Sequence, residues 1–200
     1  MGNRAEQTEK RRQAILLSSL DLFVHKGYHG TTVRDIAKRS EVSVGLLFHY
    51  FPTKQAILEE LLKIAQDGLD LTETLMDQSV SPIEFFEQMT AAILQAFKDS
   101  TMAAKIFMLS NQALTSHWIP EESKAPLSAS TSVSETAKLI EKGQTQGSIR
   151  PGDPLSLSLA FWGAIHGVAE ALVSYPQIAV PEAKWIVDMV RKHPQDDLQK

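Results

Sequence analysis

His25 and His29 stand four residues apart, the spacing at which two imidazoles on successive turns of a helix can hold a zinc ion. Gly27 and the turn it makes fall between them, so the helix that such a pair needs is interrupted. Adjacent carboxylates occur at Glu59-Glu60, Glu121-Glu122 and Asp196-Asp197, and they read as solvated surface. The sequence holds no glycine-rich phosphate loop and no Gly-x-Ser-x-Gly elbow. Cysteine is absent, which excludes disulfides and thiolate metal sites and fits a reducing compartment. No metal, cofactor or catalytic residue is therefore expected. A serine or histidine assembled from distant positions is the one form of catalysis that spacing leaves open.

Charge points to a different chemistry. The 200 residues carry a formal net charge of −4. Residues 1–54 hold nine Lys or Arg against five Asp or Glu, a net of +4, which leaves −8 on the remainder. A basic head on an acidic body suggests that function is divided by region, with the head directed at a polyanion. Chance clustering is the plainer account of charge by itself, so the elements beneath the charges must agree.

They read almost wholly as helix, without the period-two alternation of strands. A first helix from about Thr8 to Lys26 repeats Ile15, Leu16, Ser19, Leu22 and Phe23 at three- and four-residue spacing, and Gly27 ends it. Thr32 with Asp35 opens a short helix ending near Ser40, with Ile36 and Ala37 inward. Ser43 opens a second through Tyr50, and Pro52-Thr53 breaks the chain before a long helix from Lys54 towards Met76. Further on, Ser81-Pro82-Ile83-Glu84, Thr101, Ser132 and Asp153-Pro154 each begin a helix, and Pro181-Glu182 opens the last, ending near His193. The proline- and serine-rich stretch from Trp118 to Ser130 is the main internal loop.

Residues 31 to 51, TTVRDIAKRSEVSVGLLFHYF, put two short helices around a turn of three to four residues, which is helix-turn-helix spacing. Ala37 is small where the helices cross, and Ile36, Val42 and Leu47 fill the wedge. The second helix would enter the major groove, about 12 Å wide and able to admit one α-helix. The longer run, from ILLSSLDLF through GYHGTTVRDIAKRSEVSVGLLFHYFPTKQAILEELL over residues 15 to 62, resembles the first four helices of the TetR family. The matching features are the GY turn, the TT start, the IA pair, VS before the recognition helix and YF-x-x-K after it. The resemblance implies an all-α chain: a three-helix helix-turn-helix domain over 1–53 and a helical ligand-binding and dimerisation bundle over 54–200. It also implies a DNA-facing set. Thr31 and Thr32 would give hydroxyl and amide donors to a phosphate, and Arg34 a further contact. Gly45 would allow close approach, and His49, Tyr50 and Lys54 would face phosphates, with Ser43, Val44, Leu46 and Phe48 completing the face.

Four positions depart from the family pattern. Glu41 occupies the turn where glycine is usual, Val44 stands where a polar residue is frequent, and Leu46 and Phe48 replace positions that often bear hydroxyls. A recognition surface so poor in hydrogen-bond donors would rest on apolar contact with thymine methyls and on DNA shape.

In the helix from Pro154 to Tyr175, Ala160, Gly163, Ala164, Gly167 and Ala171 line one face. With Ile186 and Met189 of the last helix they are expected to form a homodimer interface, chiefly on the strength of the resemblance; packing within the chain is the alternative. A neighbouring face carries Leu159, Trp162, His166 and Val173. Trp162 and His166, with Phe86, Met89, Phe107, Met108 and Trp118, make a candidate apolar pocket for a small-molecule inducer, with ordinary core as the alternative. No segment reads as a bilayer span, and a cytoplasmic location is expected. A DNA-binding regulator, most simply a ligand-released repressor on double-stranded operator DNA, thus leads two other readings. These are a helical small-molecule carrier with a degenerate head, motivated by Val44, Leu46 and Phe48, and an all-helical enzyme.

Overall fold

The computed structural model describes residues 2–78, 81–116, 119, 127, 133–194 and 196, with side chains described for 5–66 and from 81 onward. Trp118 and most of the stretch read as the internal loop lie outside the described residues, as do the side chains of Leu69, Leu75 and Met76. The described residues form nine helices: α1 Gly2–Gly30, α2 Val33–Arg39, α3 Val44–Tyr50, α4 Lys54–Gln78, α5 Pro82–Asp99, α6 Thr101–Thr115, α7 Val133–Thr145, α8 Pro154–Ser174 and α9 Ala183–Val187. There is no strand among them, only an isolated antiparallel bridge between Ile149 and Arg191.

The chain divides into two compact units. One comprises residues 1–66 and 105–127, the other 67–104 and 128–200. The first therefore takes in more than residues 1–53, and α4 and α6 each begin in one unit and end in the other.

In the first unit the stripe of α1 is buried as its spacing requires: Ile15 and Phe23 are fully inaccessible, and Leu16, Ser19 and Leu22 nearly so. Ser19 is tolerated there because its hydroxyl donates back to the Ile15 carbonyl, 2.7 Å away. Gly27 breaks the helix at φ 73°, ψ 160°, a region a side chain would resist. Ile36, Ala37 and Leu47 fill the wedge between α2 and α3, and Leu58, Leu61, Leu62 and Ala65 bury the α4 stripe against the same core. Each large apolar side chain so buried contributes roughly 1.5–3 kcal/mol.

In the second unit α7 lies along α8, and α9 packs on α5 and α8. Phe86 meets Phe161 edge to face at 4.9 Å between ring centroids. Between α7 and α8 the hydroxyls of Thr136 and Ser158 are bonded to each other, and the Trp162 indole donates to Thr136 Oγ1 at 3.0 Å. Gly143 marks a close approach, since a Cβ there would come within 2.5 Å of the Ile149 side chain. The last helix is shorter than expected. It stops at Val187, and the chain turns so that Val190 O accepts from Arg150 N at 2.9 Å and Ser148 O accepts from Lys192 N at 3.1 Å. These partners are some 40 residues away in sequence, which local periodicity does not register.

One expectation is corrected here. α8, at 21 residues and mean hydropathy 1.4, is long and apolar enough to cross a membrane by length and composition. Of that stretch 28% is buried, the rest is divided between half-buried and exposed residues, and Leu155 and Leu159 are among the exposed ones.

Candidate nucleic-acid interface

The helix-turn-helix is set by local bonds that the sequence announces. Thr32 caps α2 in a reciprocal box: Asp35 N donates to Thr32 Oγ1 at 3.1 Å, and Thr32 N donates to Asp35 Oδ2 at 2.9 Å. Those bonds, first from the Thr32 backbone and then from its hydroxyl, hold the Asp35 carboxyl below its ordinary pKa of 3.8. Ser43 caps α3 by accepting from Leu46 N at 3.1 Å. Between the two helices Glu41 takes φ 56°, the left-handed conformation that explains why glycine suits this turn.

α3 presents a mixed outer face. Val44 and Phe48 remain 38% and 45% exposed, Gly45 and His49 are exposed beside them, and Leu46 and Tyr50 are half-buried. Leu47 points the other way and is fully buried. A Cβ built on Gly45 meets nothing within 4 Å. Arg34 and Lys38 are exposed on α2. The structure thus gathers Arg34, Ser43, Val44, Gly45, Phe48 and His49 as outward-facing residues of one helix-turn-helix.

Three residues expected to face phosphates are engaged internally. Thr31 is 1% exposed, and its hydroxyl donates to the carbonyls of Leu22 at 3.2 Å and Gly27 at 2.9 Å. The hydroxyl and amide of Thr32 both donate to Asp35 Oδ2. The Lys54 ammonium donates to the carbonyls of Tyr28 and Thr31 at 2.7 and 2.8 Å and stands 4.1 Å from the centroid of the Tyr28 ring. Burial lowers the pKa of Lys54 and, with the Glu59 carboxylate, raises that of the Tyr28 phenol. In this arrangement Lys54 ties the start of α4 to the end of α1, closing the frame on which α3 is mounted.

A second cluster was missed in the sequence. Asp21 of α1 accepts from Lys105 of α6 at 2.6 Å, pairs with Arg39 at the end of α2, and lies 3.5 Å from His25 Nδ1. Burial opposes its charge, yet the Lys105 hydrogen bond, with the charges of Lys105, Arg39 and His25, keeps its carboxyl below the ordinary value of 3.8. An aspartate on the edge of an apolar stripe was the only sequence signal, and its partner Lys105 is 84 residues away. His25 and His29 do not converge on a metal; His25 Nδ1 lies 2.8 Å from the Asp21 carbonyl oxygen and His29 packs on Tyr28. Among the described residues no group of three or more His, Asp or Glu suits a metal ion.

The residues anticipated in a ligand pocket fall in different places. Phe86 and Met89 are fully buried in the second unit, where Trp162 and His166 are half-buried; Phe107, half-buried, and Met108, buried, belong to the first unit; Trp118 is outside the described residues. An open groove of about 320 Å³ in the second unit is lined by Ile83, Gly147, Ser148, Arg191, Lys192, His193 and Pro194, none of them from that set. Of the anticipated dimer residues, Ala160, Gly163 and Gly167 are exposed, Ala164, Ala171 and Met189 half-buried, and neither glycine has a neighbour that a Cβ would touch. Ile186 is turned into the core at 5% exposure, and Trp185 beside it is 58% exposed. Leu159, read as part of the pocket face, is 63% exposed and lies with Leu155 on the uncovered side of α8.

Comparison with known proteins bears on this geometry. Residues 15–61 match the family model "Bacterial regulatory proteins, tetR family". The HTH-type transcriptional regulator RutR of Escherichia coli K12 is 26% identical over 172 residues, covering 84% of this chain and 78% of that protein. The HTH-type transcriptional repressor KstR2 of Mycolicibacterium smegmatis is 25% identical over 156 residues, covering 78% and 75%. Among solved structures, AibR in complex with isovaleryl coenzyme A and operator DNA shares the fold with a TM-score of 0.62 at 18% identity, covering 89% of this chain and 94% of that one.

Proposed function

We propose that the chain is a regulator of the TetR family, a sequence-specific repressor that binds a double-stranded operator as a homodimer and leaves it when a small apolar or amphipathic ligand binds. The observation that carries this reading is the outer face of α3, where Gly45 has open space around it and exposed cations of α2 lie alongside. Glycine weakens a helix by about 1 kcal/mol relative to alanine. No neighbour within the chain calls for it, so close approach by DNA is the compensation.

Arg34 and His49 supply phosphate contacts, with Tyr50 at the edge, while Thr31, Thr32 and Lys54 hold the helices in register. A second copy covers the exposed face of α8, where Ala160, Gly163 and Gly167 permit close packing of two helices and Leu155 and Leu159 need burial. The ligand's polar anchor is on the same helix, at His166 beside Trp162. Ligand binding favours one arrangement of the body over another. The change reaches the head through α4 and α6, the helices that run from one unit into the other. A coupling of 5- to 150-fold in operator affinity is the usual range. The repressor reading agrees with the name of the KstR2 relative, and the ligand reading with the AibR complex. Such a regulator works in the cytoplasm.

Footprinting on the promoter beside its own gene tests this reading. Two protected half-sites related by a dyad, about one helical turn or a multiple apart, are expected. Gly45→Leu, at a position where a Cβ meets no neighbour in the chain, abolishes them without loss of helicity. Absence of a footprint there and in a random-site selection would reject the proposal.

A further inference from the structure

We propose that Val44 and Phe48 are specificity residues that read the 5-methyl groups of thymine, so that each operator half-site carries thymines about two base pairs apart beneath α3. The inference rests on the DNA-binding reading above and gives it a base preference. Val44 and Phe48 are large apolar side chains left 38% and 45% exposed on a helix whose Leu47 is fully buried and whose Leu46 is half-buried. Four residues apart, they stand on the same face. Gly45, between them in the chain, keeps the surface beside them low. Exposed apolar side chains at such a position call for an apolar partner, while exposed Arg34 and Lys38 and the net +4 of residues 1–54 call for a polyanion. One occupant satisfies both. In the major groove of DNA the only apolar group on a base edge is the C5-methyl of thymine. Along the helix axis the two side chains are separated by about 6 Å, at 1.5 Å per residue. That is close to two base-pair steps of about 3.4 Å, which sets the spacing of the thymines.

The test uses the full-length protein and a site enriched from random-sequence DNA, with affinity read by fluorescence anisotropy at one fixed salt concentration. Each thymine is replaced in turn by deoxyuridine, which removes the methyl group and nothing else. The expected result is a loss of about fourfold at each of two positions per half-site, the effect of one buried methyl, with little change elsewhere. In Val44→Ala the penalty disappears at one of these positions and in Phe48→Ala at the other, while far-ultraviolet circular dichroism is unchanged. If a site is enriched but every deoxyuridine substitution leaves affinity within twofold, the methyl reading is wrong and the DNA-binding reading survives. If no site is enriched, both fall.

Discussion

Replacing Lys54 by methionine separates a residue that frames the recognition helix from one that touches DNA. Its ammonium makes two hydrogen bonds to carbonyls, at 2.7 and 2.8 Å, and lies 4.1 Å from the Tyr28 ring centroid. A charge-assisted bond at a half-buried site contributes about 1.5 kcal/mol, and the cation over the ring about 0.5 kcal/mol. Release of the ammonium from a site whose burial already lowers its pKa offsets part of this. The net loss is about 2–3 kcal/mol, or about 4–12 °C in Tm for a chain of this size. Scanning calorimetry and operator titration over a salt series, run on the same samples, read both quantities. Lys54→Met lowers Tm by that amount and leaves the slope of log K against log salt unchanged, because no phosphate contact is removed. An unchanged Tm with a slope shallower by about 0.9 per lost contact would refute the framing role and return Lys54 to the phosphate backbone.

Glu41→Gly relieves a left-handed residue at φ 56°. It stabilises the chain by about 0.5–1 kcal/mol, a gain limited by the added freedom of glycine when unfolded, and the urea midpoint rises. Asp21→Asn removes the partner of Lys105 and Arg39 and lowers stability at neutral pH by about 1–2 kcal/mol, discounted for the exposed side of Arg39. Because folding depresses the Asp21 pKa, its contribution is complete above the unfolded value of 3.8 and is lost as pH falls through the folded one. Urea titrations therefore show the gap between native and variant closing as the pH falls below 3.8. Gly163→Leu, placed where a Cβ meets nothing in the chain, converts the proposed dimer to monomer in sedimentation velocity while helicity is kept.

Most of the helical frame was legible because its signals are local. The Thr32–Asp35 box, the Ser43, Ser81 and Asp153 caps and the Gly27 break depend on residues within one turn of each other, and each is present where the spacing puts it. Side-chain roles were less legible. Thr31, Thr32 and Lys54 have the chemistry of phosphate ligands, and only their partners reveal that these donors are already bonded within the chain. For Lys54 those partners are 23 and 26 residues away. The Asp21 cluster and the turn after Val187 depend on still longer separations. The small-residue pattern of α8 was visible, but periodicity did not distinguish its exposed side, with Leu159, from its packed side, and it placed Ile186 rather than Trp185 outward.

The DNA-binding face is tested most directly by binding of the full chain to the promoter segment beside its own gene, against scrambled DNA of equal length, over a salt series. The expected result is a preference of about a thousandfold or more at physiological salt, with log K falling linearly against log salt and the preference lost in Gly45→Leu. Equal, weak binding of both DNAs at every salt concentration, with no site recovered from a random pool, would contradict it.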